Sequence, residues 1–455
     1  MDPETASPIC PLEFRYGRPP VREIFGRDAR LQRALAVEAA LSESEAELGM
    51  VPKEAADAIR HAVTSDAVRL ERVDELEREL KHDVMAIARA LAERAGPGGA
   101  WVHFGATSGD ITDTALGLEL RTSVEVLRTD LTELARALLR LAKRFRATPE
   151  VGRTHGQHAV PLSFGYKAAV GAAEVLRHRT RLDELTPRLA VGKMSGAVGT
   201  GAGFGGRAVE VEAGVMRRLG LTADEAPTQI VGRDRIAEFT NLLALIAGTC
   251  ERLATEVRNL QRTEIGEVAE WFDEEHQVGS STMAQKRNPM LSENVTSLAR
   301  LIRAFALPPL ENMVQWHERD LANSANERIV LPHAVVLTDD VLVKLADVFT
   351  HLTVDEVRMA ANLESSRGTT MTENLMLALT SRGVPRSDAH EILRTLTRGS
   401  SDGRGLAERA KASPAILAHL PANEVDRLLD PAQYVAAAAA KTDRVLARLE
   451  PELER

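Results

Sequence analysis

The chain has 455 residues and a net charge of −9, with 44% hydrophobic, 27% charged and only 4% aromatic residues. The acidic balance argues against nucleic acid as an electrostatic partner, although a local basic pocket for a small anion is compatible with it. Cys10 and Cys250 are the only cysteines, which excludes a disulfide framework and a thiolate metal site. Nothing in Met1–Pro11 reads as a signal peptide, and no apolar run of about 18 residues occurs, so a soluble cytoplasmic protein is expected.

Taken in chain order, residues 1–110 hold shorter helical patterns and read as an N-terminal helical domain. Residues 111–355 carry long apolar stripes. The first runs Leu116, Leu120, Val124, Leu127, Leu131, Leu134, Leu138, Leu141 and Phe145, in steps of three and four. The segment 160–188 follows, with Ala168, Ala169, Gly171, Ala172 and Ala173, small residues that permit close helix approach. The next stripes are Ile236, Phe239, Leu243, Ile246, Cys250, Leu253, Val257 and Leu260; then Leu291, Val295, Leu298, Ile302 and Phe305; then Val335, Thr338, Leu342, Leu345, Phe349 and Leu352. Such stripes predict long amphipathic helices packed at shallow angles in a central bundle. Residues 356–455 are broken by glycines and prolines and read as a C-terminal helical domain. No sustained strand alternation appears. The fold class expected is therefore all-α, in three domains, and a bundle with more than one apolar face predicts an oligomer.

Three loops interrupt this helical text: Trp101–Asp110, Gly152–Val160 and Val278–Pro289. The first offers His103, Thr107 and Ser108 as donors for a carboxylate or phosphate; Ser108 or Asp110 as a helix N-cap is the plainer alternative. The second carries His155 and His158 three residues apart, one helical step. No HExxH and no cysteine partner accompany them, so a structural pair or acid–base work is favoured over zinc, and no metal is expected. The third sets Ser280 and Ser281 after Gly279, with Lys286 and Asn288 beyond. A serine near a fixed ammonium can act as a base, and Lys286 and Asn288 can hold a carboxylate. A solvated connector before a helix capped near Ser292 is the alternative. Gly201–Gly206 fits G-x-G-x-x-G, but no strand–helix context for a dinucleotide is legible.

Taken together the three loops resemble the signature regions of the fumarase/aspartase superfamily, and within it the adenylosuccinate lyases. The resemblance includes Arg15–Pro19, Lys81–Val84, Trp101–Ser108, Asp113–Ala115, Gly152–Ala159, Gly192–Thr200, Thr228–Gln229, Leu260–Val268, the serine loop, Trp316–Asp320 and Glu327–Arg328. It implies a five-helix central bundle, a homotetrameric helical core with active sites shared between subunits, a small anionic substrate, no membrane, no nucleic acid and no cofactor. Ser280 is then the base, His155 held by Glu293 the acid, and Lys286 and Asn288 the stabilisers of an aci-carboxylate. Thr107, Ser108 and Gln229 bind the succinyl part. Arg15, Tyr16, His82, His103, Ser324 and Arg328 bind the nucleotide part, and Ser281 and Met283 of the serine loop are further substrate-binding residues. Fumarate is the implied product, in purine nucleotide biosynthesis.

The chain departs from the family pattern at Ala284 and Gln285, where Pro-His is usual, and at Ala325, where a second serine is usual. These positions bear on the leaving group. They leave open a lyase acting on a smaller substituted succinate such as nitrosuccinate, or a carboxymuconate cycloisomerase. A catalytically silent protein on the same fold is the reading from another class.

Overall fold

The computed structural model describes residues 9–279, 281–398 and 403–454. Nearly all regular structure is helical. In chain order the helices are α1 (Pro19–Ile24), α2 (Arg27–Glu47), α3 (Lys53–Thr64), α4 (Leu70–Leu80), α5 (Asp83–Ala95), α6 (Ser108–Arg144), α7 (Phe164–Leu189), α8 (Ala208–Leu219), α9 (Asp234–Leu260), α10 (Met290–Ala304), α11 (Leu307–Glu311) and α12 (Ser324–His351). After α12 come α13 (Glu356–Glu364), α14 (Thr372–Ser381), α15 (Arg386–Thr397), α16 (Leu406–Ala412), α17 (Pro414–Leu417), α18 (Ala422–Leu428) and α19 (Ala432–Leu449). None of the described helices is long and apolar enough to cross a membrane.

The long stripes became the interiors of the long helices. Leu120, Val124, Leu127, Leu131, Leu134, Leu138 and Leu141 are all buried on α6, with Phe145 buried just past its end, and Ile236 through Leu260 on α9 follow the same pattern. With almost no aromatics, these cores are filled by branched aliphatic residues at helical spacing, each fully buried one contributing roughly 1.5–3 kcal/mol. The small residues of α7 act as expected. A Cβ on Gly171 would lie 3.0 Å from the Leu253 side chain and 3.5 Å from Leu138, so the residue fits only because it is small.

The chain forms two compact units, each discontinuous in sequence. One comprises 1–130, 178–248 and 297–342; the other 131–177, 249–296 and 343–455. Each takes one part of α6, α7, α9, α10 and α12. The first unit adds α1–α5, α8 and α11, and the second adds α13–α19.

Strands are few and short. β1 (Pro149–Thr154) and β2 (Gln157–Ser163) form an antiparallel hairpin; β3 (Val191–Gly192) pairs in parallel with β4 (Thr222–Ala223); β5 (Val268–Ala269) pairs antiparallel with β6 (Thr353–Val354). The hairpin corrects one expectation: His155 and His158 do not lie one helical step apart. His155 and Gly156 are the two central residues of its turn, with φ of 54° and 73°, and Thr154 pairs with Gln157. Positive φ at both positions is the type I′ geometry that matches strand twist.

Candidate active site

In the first unit, the loop before α6 is tied down by buried charge. α6 begins at Ser108, earlier than its apolar stripe suggests. Asp110, in its first turn, is wholly buried, and its Oδ2 accepts the backbone N–H of Thr107 at 2.8 Å. Its Oδ1 accepts the N–H of Ser195 at 2.9 Å and the Lys193 ammonium, which is also wholly buried. One carboxylate therefore fixes two of the polar segments read from sequence, 101–110 and 192–200, against each other. A buried ion pair of this kind offsets its desolvation cost only because the remaining lone pairs are satisfied by N–H groups.

The glycines of 201–206 serve the same contact. A Cβ on Gly105 would sit 2.7 Å from the Phe204 ring, and one on Gly203 would sit 2.7 Å from the Gly105 carbonyl oxygen. They form a 3₁₀ turn, Ala202–Arg207, that lets the loop approach. A short strand, β3, does precede them and α8 follows, but the glycines do not open directly off the strand as a pyrophosphate cradle requires.

His82, Ser108 and Thr107 are brought together. His82 caps α5, its Nδ1 accepting the Met85 N–H at 3.4 Å, so in the neutral ring Nε2 carries the proton. Nε2 lies 3.4 Å from the Ser108 hydroxyl. Arg328, early in α12, reaches Asp83 at 3.0 Å beside His82. Gln229 donates its amide to the Ala197 carbonyl at 3.1 Å, and its backbone N–H bonds Glu318. A Cβ on Gly109 would meet the Gln229 carbonyl oxygen at 2.2 Å, so Gln229 lies against the start of α6. His103 is held by Glu38 of α2. Ser324 opens α12.

Arg15 and Tyr16 ride on a segment anchored just after them. The Gly17 N–H donates to Asp340 at 3.1 Å, and Arg18 bonds Asp339 and, at 2.7 Å, Asp130. Burial and the neighbouring Asp339 carboxylate push the Asp130 carboxyl well above its ordinary range, against the pull of Arg18.

In the second unit, the His155 hairpin has a rigid base and an exposed tip. Arg153 makes a bidentate pair with buried Glu267 at 2.9 and 2.7 Å. Lys167 of α7 lies 2.8 Å from wholly buried Glu150 and also bonds Glu256. Burial raises the Glu150 carboxyl, opposed by the Lys167 charge. His155, Gln157 and His158 are exposed. A cleft of about 510 Å³ lined by Gly156, Gln157, His158, Ser366, Thr369 and Thr370 opens beside them.

Ser280 lies outside the described residues. The rest of its loop is pinched at the base, where the Asn288 amide donates to the Gly279 carbonyl at 3.0 Å. A Cβ on Gly279 would meet the Lys286 carbonyl oxygen at 2.0 Å, so no other residue fits there. Arg287 stacks over Phe272, 5.4 Å from the ring centre, and pairs with Glu274 at 2.8 Å. Ser281, Met283 and Lys286 are exposed. The following helix starts at Met290, and its first N–H groups are capped by Glu270, which accepts from Leu291 and Ser292 at 3.1 and 2.7 Å. Ser292 is therefore inside the helix, where its N–H takes a distant carboxylate as cap. Glu293 is exposed on the first turn. Among the described residues no hydrogen bond joins His155 to Glu293.

Comparison with known proteins fixes the family. A lyase family model matches residues 13–303, and a model of the adenylosuccinate lyase C-terminus matches residues 368–445. The adenylosuccinate lyase of Methanothermobacter thermautotrophicus is 45% identical over 440 residues, 96% of this chain and 98% of that protein. The chain belongs to the adenylosuccinate lyase family. The fumarate lyase of Mesorhizobium sp. BNC1 shares the fold with a TM-score of 0.87 and 32% identity, covering 95% of this chain and 98% of that one. The 3-carboxy-cis,cis-muconate lactonizing enzyme of Pseudomonas putida gives a TM-score of 0.86 at 32% identity, covering 97% and 98%. As a member of the adenylosuccinate lyase family, the chain is a fumarate-forming carbon–nitrogen lyase.

For a lyase of this family, the supporting carboxylates are what sequence reading passed over. Glu38 lies on α2 three residues beyond Leu35 and seven beyond Leu31, both buried. An acidic residue on an apolar stripe was the available signal. Asp113, Arg233 and Glu327 form a buried ion network, with Arg233 bonding Asp113 at 2.6 Å and Glu327 at 3.0 Å; no motif announced Arg233.

Proposed function

We propose that the chain cleaves the carbon–nitrogen bond of adenylosuccinate, releasing fumarate and the purine amine, in a cytoplasmic homotetramer. With this goes the three-domain division at residues 110 and 355. The observation that carries the substrate class is the polar face of the first unit, where His82, Thr107 and Ser108 stand together beside Arg328 on an acidic chain. Donors grouped in this way suit an anion, with Gln229 alongside, and His103, Ser324, Arg15 and Tyr16 complete the nucleotide side.

The chemistry is a β-elimination. Ser280, as alkoxide, takes the proton from the carbon next to a substrate carboxylate. Lys286 and Asn288 stabilise the aci-carboxylate that forms, an interaction strongest where charge develops. The carbon–nitrogen bond then breaks, and His155 gives its proton to the departing nitrogen. Ser281 and Met283 line the loop. The exposure of His155 at a hairpin tip, away from hydrogen-bonding reach of Glu293, supports sites completed by another copy. Exposed apolar side chains on the long helices, among them Leu245 on α9, Leu301 on α10 and Ile329 on α12, supply surface for such an assembly.

The test is fumarate formation from adenylosuccinate, followed by absorbance. Turnover is expected, with Ser280→Ala lowering kcat by about 10³-fold or more. No turnover at high enzyme concentration overturns the substrate. Ala284, Gln285 and Ala325 favour a second reading, a smaller substituted succinate; nitrosuccinate and simple amino-succinates in the same assay decide between them.

A further inference from the structure

α2 carries two acidic residues on its buried face, Glu38 at 1% exposure and Glu45 at 0%. Glu38 puts both carboxylate oxygens on a single residue. Oε2 accepts the backbone N–H of His103 at 3.1 Å, and Oε1 lies 2.7 Å from His103 Nδ1. His103 has a φ of 62°, a left-handed backbone that side chains larger than glycine adopt only when the surroundings hold them there. The bidentate grip of Glu38 holds both the backbone and the ring. With Nδ1–H donating to Glu38, the proton position on the ring is fixed, and Nε2 is the nitrogen left for a ligand. Among the described residues, Glu38 is the hydrogen-bond partner of the ring.

The charges around the ring are few. Glu38 faces it from α2 and Asp110 from α6, the latter already paired with Lys193. Burial alone draws the His103 imidazole down, but the hydrogen bond and charge of Glu38, with Asp110 behind, outweigh it and raise it. Glu45, next in line on α2, is pushed up to about 8 by burial and by the Glu38 charge. It keeps its proton at neutral pH.

We propose that Glu38 is a positioning residue for the lyase reaction: it locks the His103 ring and its Nδ1 proton so that Nε2 is presented to an anionic group of the substrate. This rests on the reading of His103 as a substrate-binding residue. Glu38 touches no substrate; it acts through His103.

The experiment measures KM and kcat for adenylosuccinate between pH 6 and 9 in the full-length enzyme, for the wild type, Glu38→Gln, Glu38→Asp and His103→Ala. Glu38→Gln is expected to raise KM about tenfold near pH 7.5 and to move the rise of KM with pH to lower pH, with kcat changed less than about twofold. Glu38→Asp, which keeps the charge, is expected to restore the pH profile and part of KM. Glu38→Asp also keeps the test open if the glutamine variant does not fold: a profile like that of the wild type with a modest KM increase supports the proposal, and a KM like that of His103→Ala overturns it. If His103→Ala raises KM while Glu38→Gln folds and leaves KM and its pH profile unchanged, Glu38 does not position the ring and the inference is overturned. If His103→Ala itself leaves KM unchanged, the failure lies in the reading of His103, and the proposal falls with it.

Discussion

Around His103 the polar groups are committed within the chain: Glu38 holds the ring, Asp110 holds Thr107 and Lys193, and Ser108 meets His82. At the tip of the β1–β2 hairpin the opposite holds. Arg153, Glu267, Glu150 and Lys167 brace the base, while His155 and His158 stand exposed. The serine loop repeats the second pattern, with Asn288 and Gly279 closing its base and Lys286 exposed. The difference separates two tasks. Groups that recognise fixed negative charge gain from a rigid, preorganised frame. In the proposed mechanism, the groups that move protons are the ones on projecting tips with stiff roots.

That contrast can be broken by substitution. The largest effect is expected at the exposed tip. His155→Ala should lower kcat by about 10²–10⁴-fold, the range for loss of a general acid, with little change in melting temperature. A large drop in thermal stability with a small drop in kcat would place His155 among the structural residues and erase the contrast.

The committed region should answer in stability. Lys193→Met leaves Asp110 charged, buried and without its cation, and should destabilise the fold by about 3–5 kcal/mol, read by urea denaturation. A loss under 1 kcal/mol would mean that the N–H groups of Thr107, Ser195 and Gly196 satisfy Asp110 unaided.

The smallest effect sharpens the comparison through pH. The Glu45 carboxyl is raised by burial in the folded chain, to about 8 from an ordinary 4.5. The folded state therefore retains a proton that the unfolded chain releases. This favours folding below pH 4.5, and the advantage is lost as pH rises from there through about 8. Glu45→Gln removes the titration, so the stability-versus-pH slope across this window should flatten by up to about 1.4 kcal/mol per pH unit. Denaturant midpoints at pH 6, 7 and 8 measure it, and an unchanged slope would show that Glu45 does not bind the extra proton.

Much of this was legible along the chain. The stripes on α6, α9 and α12 name their own buried residues, because a helix repeats its face every three to four positions and burial follows the repeat. The three polar loops were visible as breaks in that repeat. The hairpin was not: Gly152 sits at a bulge and β2 alternates poorly, so His155 and His158 read as a helical pair. Glu38 stood out as an acid on an apolar stripe, but its task was not legible, because its partner lies 65 residues away, and only the packing of α2 against the loop makes an acid acceptable there.

By itself, then, the sequence determined the helical class, the spacing of the core and the residue types placed at each polar break. Tertiary structure alone decided which carboxylate serves which donor. It set Glu38 on His103, Asp110 on Lys193 and Glu270 on the start of α10. Helical periodicity is local and repeats along the chain, whereas a buried charge needs a partner close in space, and that partner can come from any distance in sequence.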